Sequence, residues 1–573
     1  MTSFPATAGG GFATALCVAL MPSTPARADE GEPEIRLVLQ ITVDQLRGDM
    51  PSRWVDRMGE GGFRRLLDNG VVFEDAHHRH ANTETIVGHA TLATGADPAV
   101  HGMVGNVWFD RALDRYVYNV EDERYPLLSA DAGVDSATEI DPTQKTAKSD
   151  GRSPEAILVS TFSDELTLRT NGRAKVFGVS VKDRGAISMA GHSGKAFWFS
   201  KKGGDFVTSR YYYDAYPEWV TAWNSTDPAA KYAGTSWSLD GEQANYEFGE
   251  HDDQPWETDL AGFGRTFPHP YGSADGKYFT TLLTISPAGD ELVAAFAKEL
   301  IAQEDLGADS VPDYLSVSFS ATDYVGHIFG PSSLESEANL LRLDRTLAGL
   351  LTFVDERIGL DKTLIVLSAD HGAAEAPAHL NERGIPAQIF DPDGVNKAPR
   401  FAALRKRFGL GEELVKSYFH PYLNLDHEAI AKAGLDLDEV ARAVAREAEL
   451  LPEIFRAISS ADLSTGRVPD TDLSRQILRN HNGRRSGDIY IVLQPHWMVA
   501  DFDGLTVAAT HGSPWTYDTF VPVIFAGAGL APQRVHRRID TVDVARTLAA
   551  ALGTKPPSGA TGDILPEVLT RLR

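Results

Sequence analysis

Four short, nearly unbroken apolar runs in this chain each end at a polar residue able to do chemistry. Ile35 to Val43 delivers Asp44, Lys175 to Val181 delivers Lys182, Tyr314 to Phe319 leads to Asp323, and Thr363 to Leu367 delivers Asp370. A strand that is apolar on both faces must be covered on both faces, which is the signature of a parallel sheet held between helices. Helical patterns separate the runs. Pro154 to Arg169 reads as a helix with Ser153 as N-cap and proline at its first position, and Glu291 to Gln303 as a second. Leu334 to Ile358 is a long amphipathic helix, and Asp543 to Leu552 is stopped by Gly553 and the Pro556-Pro557 pair. The alternation predicts an α/β, doubly wound, mostly parallel sheet flanked by helices, with ligands beyond the carboxyl ends of its strands. Two stretches break the pattern. Residues 203–276 are rich in Tyr, Trp, Gly and Asp without a clear period, and residues 376–485 carry helical segments but no strand aimed at the expected site. Both read as cap insertions over the sheet.

Composition narrows the function. Lys plus Arg total 54 against 80 for Asp plus Glu, a net charge of −26. Counterion release requires basic residues facing phosphates, so a general nucleic-acid binder is excluded. An anionic small molecule is not, because bound metal ions reverse the charge locally. Residues 1–28 read as a signal peptide: Gly10 to Met21 is a short apolar run, and Ala26-Arg27-Ala28 is a small-residue cleavage signal ahead of Asp29, although no Lys or Arg precedes the run. Residues 29–573 are then one exported domain, periplasmic or secreted, with no apolar segment long enough to span a membrane. The one cysteine, Cys17, lies inside the leader, so any metal here sits among oxygen and imidazole groups.

The metal-loving residues gather in four places. Asp323 and His327 are four apart, on one face of a helix. Asp370-His371-Gly372 follows a buried strand, His511-Gly512-Ser513-Pro514 follows the apolar run Leu505 to Ala509, and Asp44 ends the first strand. Each piece alone is commonplace. Together, at strand ends of one α/β chain, these three aspartates and three histidines are enough for two zinc sites with an open position. The other half is Asn82 to Leu92, which follows strand Val71 to Asp75 and opens a helix reaching Thr94. A hydroxyl at a helix N-terminus meets free N–H groups and a positive dipole end, a natural place for a phosphoryl group. An alcohol attacks at neutral pH only with a base or a metal beside it.

The pattern T-x-x-G-H-A-T-L-x-T-G-x-x-P-x-x-H-G-x-x-G-N runs from Thr85 to Asn106. With Asp44, Asp323, His327, Asp370, His371 and His511 it resembles the alkaline phosphatase superfamily, and within it the phosphodiesterase-like bacterial alkaline phosphatases that use a threonine nucleophile. The resemblance implies that Thr85 forms a covalent phosphothreonine. It implies that Asp44, Asp370 and His371 bind one zinc, which also engages the Thr85 oxygen. Asp323, His327 and His511 would bind a second, which stabilises the leaving oxygen and later activates water. Asn106 would donate to a non-bridging phosphoryl oxygen. Thr83 competes as nucleophile by sequence alone; Thr85 is preferred because it keeps the family's spacing to Gly88-His89 and Asn106.

The substrate class turns on Ser180-Val181-Lys182-Asp183-Arg184-Gly185. A phosphate monoester is a dianion, whereas a diester carries one charge and a second organic group, so extra cations beside the metals favour the monoester. Lys182 and Arg184, two apart, point the same way if the strand continues. A K-x-R pair has this role in the resembling monoesterases. The expected function is an exported phosphomonoesterase acting on small phosphorylated metabolites. The alternatives are a nucleotide pyrophosphatase or phosphodiesterase on the same scaffold, and a non-catalytic phospho-ligand-binding protein. His77, His78 and His80 read as a strand end and its turn, and His89 and His101 as packing within the motif. Tyr211 to Tyr213, Trp219 and Trp223 read as cap packing, and Asp518 as orienting a metal-bound histidine.

Overall fold

The structure, a computed structural model, describes residues 35–573 apart from 412, 413, 500, 503, 504, 571 and 573, and the side chains of 501 and 502. The signal-peptide expectation for 1–28, with Cys17 and the cleavage motif, lies outside the described residues.

A nine-stranded sheet organises the chain. Its strands are β1 (Leu37–Val43), β2 (Val71–His77), β3 (Val176–Ser180), β4 (Lys195–Phe199), β5 (Phe206–Val207), β6 (Asp313–Phe319) and β7 (Thr363–Ser368), completed by β12 (Val523–Gly527) and β13 (Gln533–Asp540). Their order is β13-β2-β12-β7-β1-β6-β3-β4-β5. β12 and β5 run antiparallel to their neighbours and the other pairings are parallel. The sheet is thus the mostly parallel, helix-flanked one expected. In β1 all seven residues are buried. Leu37, Leu39, Ile41 and Val43 join one hydrophobic cluster and Val38 joins the other, the alternation that a sheet covered on both faces demands. Flanking helices are α1 (Thr85–Thr94), α2 (Phe162–Arg169), α3 (Asp183–Ala190), α4 (Pro287–Gln303), α5 (Ala321–Phe329), α6 (Leu334–Arg357) and, near the end, α8 (Asp543–Ala551).

Register places the chemistry. Val43 pairs with Phe319, Thr42 with Ser368 and Ser318 with Ser180, all parallel. The residues that follow these strands, Asp44, Asp323, Asp370 and Lys182, therefore emerge along one edge of the sheet.

Four expectations are corrected. The helix expected from Pro154 begins at Phe162, with Thr161 as N-cap in a capping box with Asp164. Two N–H groups of this stretch go elsewhere: Ser153 donates to the Val120 carbonyl and Leu158 to that of His101, each at 3.1 Å. Next, the apolar run before His511 is not a strand of the main sheet; only Leu505–Thr506 is extended, paired with Asp501–Phe502. Third, residues 376–485, read as helical segments, also hold strands. β8 (Val415–Phe419), β9 (Tyr422–Leu425) and β10 (Ile454–Ser459) join β11 (Ile489–Leu493) in an antiparallel sheet of order β8-β9-β11-β10, and the sheet packs on α7 (Leu437–Ala448). Helical periodicity dominates that stretch because α7 is strongly two-faced, while β8 is half-exposed and reads as loop. Last, residues 203–276 do not roof the site. Trp237, Phe248, Phe263 and Tyr271 belong to the core cluster that includes α6, and none of that segment lines the main cavity described below. Trp219 and Trp223 meet Phe296 of α4 at 5.3 and 5.8 Å, and Tyr213 meets Phe197 at 5.5 Å.

Candidate active site

Thr85 opens α1, all ten residues of which are buried. The helix passes so close to the exit of β7 that a Cβ on Gly88 would lie 1.8 Å from the Asp370 carbonyl oxygen, so glycine is required there. Thr85 Oγ1 accepts a hydrogen bond from Arg184 Nη2 at 3.3 Å. Asn106 is laced to the same helix end from both sides. Its Oδ1 accepts the Ile86 N–H at 3.0 Å, and its own N–H goes to the Glu84 carboxylate. Because Oδ1 is committed to a donor, the Nδ2 group is the end left for a ligand.

Lys182 and Arg184 do not point the same way. The strand ends at Ser180, Lys182 is the N-cap of α3, and Arg184 lies in its first turn. Lys182 Nζ lies between Asp44 (2.9 Å) and Asp323 (2.5 Å), 1% exposed. Arg184 turns to the threonine, held by Asp141 at 2.7 Å and the Tyr118 hydroxyl at 3.3 Å. Tyr118 in turn donates to Asp183, which also binds Arg152 at 2.6 Å.

The six Asp and His residues converge. Asp323 Oδ1 lies 3.3 Å from His327 Nε2 and 3.4 Å from His511 Nε2. Asp370 Oδ2 lies 3.3 Å from His371 Nε2. Each of the three imidazoles has its Nδ1 on a carbonyl: His327 on Ala509 (2.8 Å), His371 on Gly372 (3.0 Å) and His511 on Thr83 (2.7 Å). A carbonyl only accepts, so each Nδ1 carries the proton and each Nε2 presents a lone pair, the tautomer a metal ligand needs. Asp370 Oδ2 and His371 Nε2 are buried and make no hydrogen bond among the described residues. Two lone-pair atoms facing each other in a dry site suit a cation between them, so the donor set fits metal ions. Candidate metal-binding groups comprise Asp323, His327 and His511 on one side and Asp44, His89 and Asp370 on the other. His89 has both ring nitrogens occupied, on the Thr85 carbonyl and the Ser318 hydroxyl at 2.9 Å each. His371, with Nε2 unsatisfied, is chemically the better ligand.

Electrostatics agree with that division. Burial pushes the Asp370 carboxyl up to about 6, helped by the Asp44 charge. Burial would raise Asp323 too, but the Lys182 ammonium and two imidazoles outweigh it and hold it well below the usual carboxylate range. Burial keeps His371 and His511 neutral by lowering both.

Some residues here carried no signal in the sequence. Gln45, next to Asp44, has a left-handed φ of 61°. Its N–H donates to Asp370 Oδ1 at 3.1 Å and its Nε2 to Asp323 Oδ1 at 3.0 Å, joining the two acidic groups. Glu84, Tyr118 and Asp141 act through Asn106 and Arg184. Asp518 does not touch His511; it accepts from Ser513 N–H at 2.9 Å and so shapes the loop behind the imidazole. Thr83 supplies His511 with a carbonyl, and its hydroxyl donates to Ser513 at 2.9 Å. His77 and His78 use their ring nitrogens on Asp75, Thr519, Ala369 and Thr541, away from these groups.

Thr85, Asn106, Arg184, Asp323, His327 and His511 form the floor of a cavity of about 720 Å³, while Asp44, Lys182, Asp370 and His371 are buried. Among the described residues no helix is long and apolar enough to cross a membrane.

The chain is similar over most of its length to known proteins. It is 32% identical to alkaline phosphatase PafA of Elizabethkingia meningoseptica, covering 94% of this chain and 95% of that one. It is 33% identical to a protein of Myroides odoratus named a calcium-transporting ATPase, covering 93% and 94%. The crystal structure of wild-type alkaline phosphatase PafA superposes with a TM-score of 0.84 at 31% identity, over 93% of this chain and 99% of that one. Residues 38–514 match the family of type I phosphodiesterases and nucleotide pyrophosphatases. With that match spanning most of the sheet and all six of the convergent Asp and His residues, the chain belongs to the type I phosphodiesterase / nucleotide pyrophosphatase family, within the alkaline phosphatase superfamily.

Proposed function

We propose that this protein is an exported, metal-dependent phosphomonoesterase that hydrolyses small phosphate monoesters through a covalent phosphothreonine at Thr85. The observation that carries the reading is the placement of the Thr85 hydroxyl at a buried helix N-terminus, 3.3 Å from Arg184 Nη2, in a cavity floored by convergent Asp and His groups. The similarity to a protein named alkaline phosphatase supports it. Asp44, Asp370 and His371, with the Thr85 oxygen, would hold one zinc ion, and Asp323, His327 and His511 a second. Such a pair supplies Lewis acidity to the attacking and leaving oxygens of an in-line displacement.

The chain's own groups do the rest. Thr85 Oγ1 forms the new P–O bond as the ester P–O bond breaks and the alcohol departs with a proton. The Ile86 N–H is already committed to Asn106 Oδ1, so what the first turn of α1 offers the incoming charge is the positive end of its dipole. Arg184 and the Asn106 Nδ2 group bind the non-bridging oxygens, where a loose phosphoryl transition state keeps its charge. Lys182 offsets one unit of the charge on Asp44 and Asp323, which lessens their repulsion of a dianion. Water then attacks the phosphothreonine from the opposite side, releasing inorganic phosphate and returning the proton to Thr85. Two in-line steps retain configuration at phosphorus.

The family also contains diesterases, so the decisive experiment is metal analysis of the purified protein together with turnover of matched aryl phosphate monoesters and diesters. The monoester is expected to be preferred. Arg184→Ala should cost about 10²- to 10³-fold in monoester kcat/KM, the scale of a lost transition-state donor, with a smaller loss on the diester, whereas Lys182→Ala should act through Asp44 and Asp323, which lose the cation they share. Equal losses on both substrates would point to the diesterase reading.

A milder effect is expected at Glu84. Glu84→Ala frees the Asn106 backbone and should lower monoester kcat/KM about tenfold. Combined with Asn106→Ala it should add little, because the two act as a unit. Full additivity of the two losses would show that Glu84 does not work through Asn106.

A further inference from the structure

The cavity is larger than a phosphoryl group needs. At about 720 Å³ it lies within the roughly 300–1,000 Å³ that encloses drug-sized organic ligands. Its floor is the phosphoryl site. Its wall is apolar and aromatic and comes from the second sheet and the segment after it, with Phe419, Tyr490, Leu493, Trp497, Met498 and Leu505 lining it. Phe419 and Trp497 each pack against a hydrophobic cluster yet remain half-buried, so part of each ring stays open to the cavity.

The wall is braced against the site. Phe390 meets Tyr418 edge-on at 5.7 Å. The Tyr418 hydroxyl donates to His420 Nδ1 at 2.9 Å, and His420 Nε2 donates to the Gly512 carbonyl at 3.1 Å, in the loop that delivers His511. This chain of contacts holds the apolar surface at a set position relative to the place where an ester oxygen leaves. The charges of other lining segments offset one another, with Lys145 and Lys148 in one and Asp391 and Asp393 in another. What the wall offers an occupant is burial of apolar surface, without a net charge to pair.

We propose that this wall is a leaving-group subsite for a neutral, flat, apolar organic group, so that aryl-type phosphate monoesters bind ahead of small alkyl or polyanionic ones. The inference rests on the phosphomonoesterase reading and names the substrate class of the same site. Burying one face of an aromatic ring corresponds to about tenfold or more in affinity.

Non-hydrolysable phosphonates test it without the confusion of leaving-group reactivity. For the metal-loaded enzyme, inhibition constants are measured for inorganic phosphate, methylphosphonate, phenylphosphonate and 2-carboxyethylphosphonate. Phenylphosphonate is expected to bind about tenfold or more tightly than methylphosphonate, and 2-carboxyethylphosphonate no more tightly than methylphosphonate. Trp497→Ala and Phe419→Ala should each narrow the phenyl-to-methyl gap while leaving the phosphate constant unchanged. Phe419→Leu, which keeps apolar bulk but removes the ring, guards against a misfolded alanine variant and should narrow it partly. Equal constants for phenyl- and methylphosphonate overturn the proposal, as does tighter binding of the carboxylate. So does a phosphate constant that moves in step with the phenyl one in the variants. If the unsubstituted enzyme releases phosphate from monoesters and is inhibited by phosphate, yet shows no phenyl preference, the subsite alone fails. If it does neither, the phosphomonoesterase reading fails with it.

Discussion

Replacing Thr85 by alanine is expected to reduce monoester turnover by at least about 10⁴-fold, the scale of losing a catalytic nucleophile. The protein should still fold, because the side chain removed is small and among the described residues its hydroxyl makes one hydrogen bond, a 3.3 Å contact from Arg184. Inorganic phosphate should still bind through Arg184 and Asn106. Thr85→Ser should keep part of the activity, since a hydroxyl at the same helix terminus can still attack. Rapid quenching of the unsubstituted enzyme with labelled substrate should trap label on Thr85, and none on the alanine variant. A variant with turnover within tenfold of the parent would defeat the nucleophile assignment and favour simple capture of a phosphorylated ligand. Thr83 offers no rescue in the structure, because its hydroxyl is already donated to the Ser513 carbonyl at 2.9 Å.

Stripping the metal ions with a chelator is expected to abolish turnover and also to destabilise the fold in a pH-dependent way. In the metal-free protein Asp370 is raised from 3.8 to about 6, by burial first and by Asp44 second. A group whose folded pKa is raised favours folding while it is protonated, and loses that contribution as pH rises through the window between the two values. Above about pH 6 the metal-free fold therefore bears an ionised Asp370 beside Asp44, with Lys182 and His89 partly offsetting the repulsion. A bound cation removes this repulsion. The rise in Tm on adding zinc should accordingly be larger at pH 8 than at pH 5, and zinc affinity should weaken below pH 6 as protons compete for the carboxylate. Parallel melting curves with and without zinc across that range would remove the case for a metal between Asp370 and His371. Recovery of activity with zinc against magnesium or calcium would then identify the ion, since imidazole and carboxylate together favour the former.

Much of this architecture could be read from the chain because its signals are local. A strand buried on both faces has to be apolar throughout, so β1, β3, β6 and β7 announce themselves, and so do the polar residues immediately after them. Gly88 is likewise a local necessity, as α1 touches the backbone of Asp370 there. Other residues had no such mark. Nothing about Gln45 in sequence says that its amide joins Asp323 to Asp370, since those partners are 278 and 325 positions away. Lys182 and Arg184 misled in direction because α3 starts between them, and the turn into a helix sends adjacent side chains to different neighbours. β8, half-exposed and short, gave no alternation strong enough to separate it from loop.

Order along the chain, burial of strands and the kinds of metal-binding side chain were thus properties of the sequence itself, because each depends on a residue and its near neighbours. Which imidazole has its Nε2 unsatisfied, which cation faces Thr85, and which insertion walls the cavity were settled only by tertiary structure. Those depend on hydrogen bonds and packing between segments hundreds of residues apart, and no local pattern encodes the partner at the far end.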